Sequence, residues 1–222
     1  TPAFSLPTGA YTSTQSVEIS IPIGTTVRYT TDGSTPTESS PAYTGPIALS
    51  SGVTVLRARA FGSGLLTSDV ATASYFINLG EATAENHVST LPVVSLVSDP
   101  DYLFGATNGI YVAGQTYYEK SGGMDAATSY TIKDKSDNRY FRYTNFFADL
   151  KSHPDPMNME WERPAHIDYI GADGALLFEE DVLCRIFGAY SRFETLKGIA
   201  LVSRAGYGST SMDYAFFDNR DY

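Results

Sequence analysis

The chain has 222 residues, a formal net charge of −10 and a pI near 4.6. An apolar fraction of 42% with 18% charged residues is globular composition, long enough for one or two domains with real cores. No stretch of about 18 apolar residues occurs, so no membrane-spanning helix is encoded, and the acidic balance excludes a surface built for nucleic-acid phosphates.

The start, Thr1-Pro2, carries neither Met nor an apolar leader, which reads as a processed signal peptide or an excised piece. The single Cys184 forms no internal disulfide, and the apolar run Val182–Phe187 around it predicts a buried small hydrophobe. Abundant Thr, Ser, Tyr and Gly with few Lys lean towards a secreted or cell-surface bacterial protein.

Residues 1–78 read as short strands punctuated by turns. Val17-Glu18-Ile19-Ser20-Ile21 alternates apolar and polar positions, as does most of Val53–Phe61. Val27-Arg28-Tyr29-Thr30 runs into an Asp32-Gly33 turn signal, and Gly45-Pro46 and Gly62-Ser63-Gly64 break the remainder. Period two without a helical stripe predicts an antiparallel β-sandwich of about seven short strands. Asp32 is expected to accept main-chain N–H bonds in its own turn, Gly33 to supply a positive φ and Pro36 to fix the exit. Tyr29 and Tyr43 suit either core packing with wetted hydroxyls or an exposed sugar-binding face.

The text from Pro2 to Ile77 resembles the C-terminal domain of chitobiases and β-hexosaminidases. The resemblance rests on Gly9-Ala10-Tyr11, on Val27-Arg28-Tyr29-Thr30-Thr31-Asp32-Gly33-Ser34-Thr35-Pro36-Thr37, on Tyr43-Thr44-Gly45-Pro46-Ile47, and on Arg57–Phe61 with Ser74–Ile77. It implies an immunoglobulin-like accessory module and no hydrolase activity, because the glycosidase active site of that family lies in another domain.

Residues 79–90 are polar and without periodicity, a linker. Leu91-Pro92-Val93-Val94-Ser95-Leu96-Val97 predicts a buried strand, and Asp99-Pro100 a helix cap followed by a single turn. Residues 113–160 are loop-rich, and 114–145 looks inserted. From Ala165 the strand beat returns. His166–Ile170, a turn at Gly171–Gly174 and Ala175–Phe178 predict a hairpin, with Val182–Phe187 and Gly198–Val202 as further strands. Glu179-Glu180-Asp181 reads as a solvated connector between them.

Trp161-Glu162-Arg163-Pro164-Ala165-His166-Ile167, Asp173-Gly174, Arg185-Ile186-Phe187-Gly188, Ser191-Arg192, Lys197 and Tyr214-Ala215-Phe216-Phe217 follow one another in an order that resembles CotH-type kinases. The opening Leu91–Leu96, Gly109-Ile110-Tyr111-Val112, Asn145-Phe146 and Asn158 add to the likeness. It implies that residues 91–222 are the N-terminal part of such a domain, an incomplete α+β kinase-like lobe rich in antiparallel strands. The whole chain is thus expected to be mainly β. The implied reaction passes phosphate from ATP with Mg²⁺ to a protein hydroxyl, with catalytic residues beyond Tyr222, so the chain as it stands is expected to be inactive. The nucleotide-side roles fall to Ser191, Arg192 and Lys197, and less directly to Arg185. Lys197-Gly198-Ile199 departs from the Lys-Ser pattern common in that family.

Phosphoryl transfer requires cations on the phosphates, and Arg185, Arg192 and Lys197 lie within one short stretch around Gly188. The same residues suit an ordinary sheet edge where long cations snorkel. Glu162 and Arg163 are expected to form a structural ion pair. His87, His153 and His166 are far apart, without Cys or Glu at ligand spacing along the chain, so no metal site is predicted. No Gly-x-Ser-x-Gly elbow and no Walker-type loop occurs. The rival to a kinase is a non-catalytic scaffold or surface-glycan-binding protein.

Overall fold

The computed structural model describes residues 1–79, 91–107, 109–111, 162–187 and 196–216. Ser191, Arg192, Trp161, Gly188 and the 114–145 stretch lie outside the described residues, as does the linker from residue 80 to residue 90.

Six strands come from the first 77 residues: β1 (Gly9–Tyr11), β2 (Gln15–Val17), β3 (Thr26–Thr30), β4 (Ile47–Leu49), β5 (Gly52–Phe61) and β6 (Ala71–Ile77). They form a four-stranded sheet in the order β1-β6-β5-β3 and a two-stranded sheet of β2 and β4. Alternation builds the core directly. Leu56, Ala58 and Ala60 of β5 are buried, and across the ladder Ala58 pairs with Tyr29 on β3 and Leu56 with Ala73 on β6. Val17, Ile19, Val27, Leu49, Ala73, Tyr75 and Ile77 complete one buried cluster.

The expected antiparallel pattern holds for β2–β4, β3–β5 and β5–β6, but β1 runs parallel to β6. A parallel neighbour needs a long connection rather than a tight turn, and here nearly the whole sandwich intervenes between Tyr11 and Ala71. The read-out of residues 17–21 as one strand is also shortened. β2 ends at Val17, while Ile19 keeps its place in the core through an isolated bridge to Phe4.

The Asp32-Gly33 turn forms as expected. Gly33 has φ 81°, and the Asp32 carboxylate accepts from the Ser34 N–H at 3.0 Å and the Ser34 hydroxyl at 2.6 Å. The Ser34 hydroxyl bond, then its N–H bond, holds the Asp32 carboxyl below its ordinary pKa. Tyr29 and Tyr43 meet edge to face at 6.4 Å and pack against the core, which favours the packing role for these rings.

Downstream come β7 (Val93–Ser98), helix α1 (Pro100–Phe104), β8 (Arg163–Ile170), β9 (Leu176–Phe187) and β10 (Gly198–Val202). The strands form a second four-stranded sheet in the order β10-β9-β8-β7. Asp99 caps α1 by accepting from the Asp101 N–H, with Pro100 in the first turn. The β8–β9 hairpin closes with Gly171 N–H to Ala175 C=O at 2.8 Å and Gly174 at φ 85°. Glu179-Glu180-Asp181 is no connector. It lies inside β9, twelve residues long, since strand geometry tolerates charge wherever alternate positions stay wet.

The chain divides into two compact units, residues 1–97 with 166–180 and 212–222, and residues 98–165 with 181–211. In the first unit, Gly9 bridges Ala175, the Ala10 N–H donates to Gly174 C=O at 3.0 Å, and the Ser74 and Ser95 hydroxyls lie 2.8 Å apart. In the second, Cys184 is fully buried, and burial pushes its thiol up to about 11 despite the opposing charge of Arg163. No helix among the described residues is long and apolar enough to cross a membrane.

Candidate functional site

In the second unit, β9 and β10 pair antiparallel, with Arg185 opposite Ala200 and Phe187 opposite Gly198. Lys197 immediately precedes β10, so of the four sequence-predicted phosphate ligands Arg185 stands on β9 and Lys197 beside the start of its neighbour. Their partners differ. The Arg185 guanidinium lies 3.7 Å from the Glu162 carboxylate. The Lys197 ammonium sits 5.4 Å from the centre of the Tyr111 ring, a cation–π distance, and the Lys197 N–H is 3.3 Å from the Tyr111 hydroxyl.

Glu162 organises this region. Its side chain is 4% exposed, and Arg204 grips it with two parallel bonds, Nε to Oε2 at 2.7 Å and Nη2 to Oε1 at 2.8 Å. Glu162 is thus part of a structural ion pair, as expected, but its partners are Arg204 and Arg185 rather than Arg163. Successive strand residues point to opposite faces, and the Arg163 guanidinium instead donates to the main-chain carbonyl of Glu162 at 3.1 Å. Arg204 was missed because it follows the last predicted strand, where no motif marks it.

In the first unit, strand spacing gathers a second group. His166 and Asp168 are two apart on β8 and share a face, and β9 is the neighbouring strand that supplies Glu179. One ligand atom from each of the three lies within 4.8 Å of the others. Asp168 is completely buried, and its Oδ1 is 3.1 Å from His166 Nε2. Its Oδ2 is buried without a hydrogen-bond partner among the described residues. The sequence reading passed over this group because it sought ligand spacing along the chain, whereas the third member comes from across the hairpin.

The same unit carries an aromatic cluster on β8, β9 and the segment after residue 212. Tyr169 meets Tyr214 at 5.6 Å and Phe216 at 5.4 Å, and Phe178 meets both at 5.5 and 5.7 Å. Tyr214 and Phe216, singled out in the sequence as motif residues, are therefore packing partners of the hairpin.

Residues 6–72 match the family model of the chitobiase/beta-hexosaminidase C-terminal domain, in the place where the sequence resemblance put it. No curated protein matches the chain, and no solved structure does.

Proposed function

We propose that residues 91–222 are the nucleotide-side lobe of a CotH-type phosphotransferase, carried beside an immunoglobulin-like accessory module in a secreted or surface protein. The reading is supported by the order of motifs from Trp161 to Phe217, and the single geometric observation behind it is the β9–β10 pairing. That pairing sets Arg185 opposite Ala200, three residues from Lys197. In this reading Lys197 supplies a point charge to the phosphates of ATP, and Ser191 and Arg192 join it from the segment between the two strands. Arg185, already facing Glu162, orients the strand end. The residues suit a polyphosphate in type: an ammonium, guanidinium groups and a hydroxyl are the donors phosphate oxygens accept from. Mg²⁺ accompanying the nucleotide shields the charge of its phosphates, and the acceptor is a protein hydroxyl.

Calorimetric titration of Mg²⁺–ATP into the natural full-length protein tests this. Lys197→Ala is expected to weaken binding about ten- to a hundredfold by removing a charge-assisted contact, with the melting temperature unchanged. Equal affinity in the variant rejects the assignment.

A second reading is favoured by one observation, the pairing of the buried Glu162 carboxylate with Arg204 and Arg185, which gives these two cations a structural task. In it the downstream part is a non-catalytic scaffold, and the protein binds a surface glycan or a protein partner. Absence of nucleotide binding in the same titration selects it.

A further inference from the structure

We propose that His166, Asp168 and Glu179 form a binding site for a divalent transition-metal ion, with zinc the ion the donor set suits best. The three side chains come from two neighbouring strands, and their ligand atoms already lie within 4.8 Å of one another. Two ligands of one tetrahedral zinc, each bonded at about 2.0–2.1 Å, stand about 3.3 Å apart. His166 Nε2 and Asp168 Oδ1, at 3.1 Å, are close to that separation. Glu179 completes the set from an exposed position, where its flexible side chain closes the remaining gap at little cost.

An independent observation is the state of Asp168. A carboxylate with no solvent exposure ordinarily has both oxygens satisfied, because burying an unpaired charge is costly. Among the described residues, Oδ2 has no hydrogen-bond partner and the carboxylate's ion-pair partner is His166. Tyr75, whose hydroxyl feels the Asp168 charge, donates instead to the Leu6 carbonyl at 2.8 Å. A bound cation supplies what this carboxylate lacks.

One imidazole and two carboxylates are a borderline donor set. Zinc accepts both atom types, whereas Mg²⁺ and Ca²⁺ favour oxygen alone. Coordination through Nε2 requires that nitrogen without a proton, so the metal-bound neutral imidazole carries its proton on Nδ1. Three protein ligands leave a fourth position for water or an incoming ligand atom.

The test is titration of zinc chloride into the chelator-stripped chain, followed by calorimetry and by thermal melting. One ion per chain is expected, with a rise in melting temperature that grows with free zinc. Glu179→Gln, at an exposed position, is expected to leave the metal-free melt unchanged and weaken zinc affinity at least about tenfold. His166→Gln should remove the binding. Magnesium chloride at equal concentration should shift neither readout. The proposal is overturned by absence of zinc binding, by equal response to magnesium, or by zinc affinity that both variants leave intact. The last result places the ion elsewhere on the chain.

Discussion

Arg57 shows what a single residue can add that alternation does not reveal. It lies between Leu56 and Ala58 on β5, where period two assigns it to the wet face. Yet it is only 9% exposed, and its guanidinium donates to the Gly33 carbonyl at 3.0 Å and to Thr35 Oγ1 at 3.1 Å. The Asp32-Gly33 turn was legible because Asp, Gly and Pro have fixed local consequences. The arginine that anchors it was not, because its burial depends on a loop 24 residues away folding over it. Arg57→Ala should therefore cost about 2 kcal/mol in denaturant unfolding, since it removes charge-assisted bonds and strands a buried carbonyl. A loss below about half a kcal/mol, the usual surface value, contradicts that role. Asp32 adds a pH dependence of definite sign. Its carboxyl is depressed in the folded state, so its contribution is present above the unfolded pKa and fades as pH falls through the folded one.

At the scale of elements, the β8–β9 hairpin was legible from its period and its Gly171–Gly174 turn, but the reach of β9 was not. Three acidic residues in a row look like a connector in a one-dimensional text. In the sheet they occupy strand positions with Glu179 exposed, and the strand continues into the apolar Val182–Phe187 run. The same blindness hid the cluster of His166, Asp168 and Glu179, whose members are assembled only by pairing of strands. The turn also meets the first strand. A Cβ on Gly174 would lie 2.8 Å from the Ala10 carbonyl oxygen, and its φ of 85° is one that side chains resist. Gly174→Ala should thus destabilise by more than the roughly 1–2 kcal/mol of a left-handed conformation alone. Gly206→Ala separates the two contributions, having φ 91° but open space around the added carbon. Equal losses in the two variants would mean that the approach of Gly174 to Ala10 carries no weight.

Over the whole molecule, composition and period were enough for a mainly β chain with antiparallel sheets, because each depends on local pattern. Residues 6–72 match the expected module, and its core lies between Val17 and Ile77. The proposed nucleotide side is a different kind of statement, since Ser191 and Arg192 lie outside the described residues and a phosphate site is made by convergence rather than by pattern. Hydroxyl, guanidinium and ammonium groups are donors that polyphosphate oxygens accept from, and the proposal rests on that match of chemical type. Transfer of label from γ-labelled ATP to protein by the natural full-length protein, wild type beside Lys197→Ala, tests this most directly. Mg²⁺-dependent label on serine or threonine hydroxyls is expected, reduced at least about tenfold in a variant that melts like the wild type. Wild-type protein that transfers no label, or a variant that transfers it equally well, would overturn the phosphotransferase proposal.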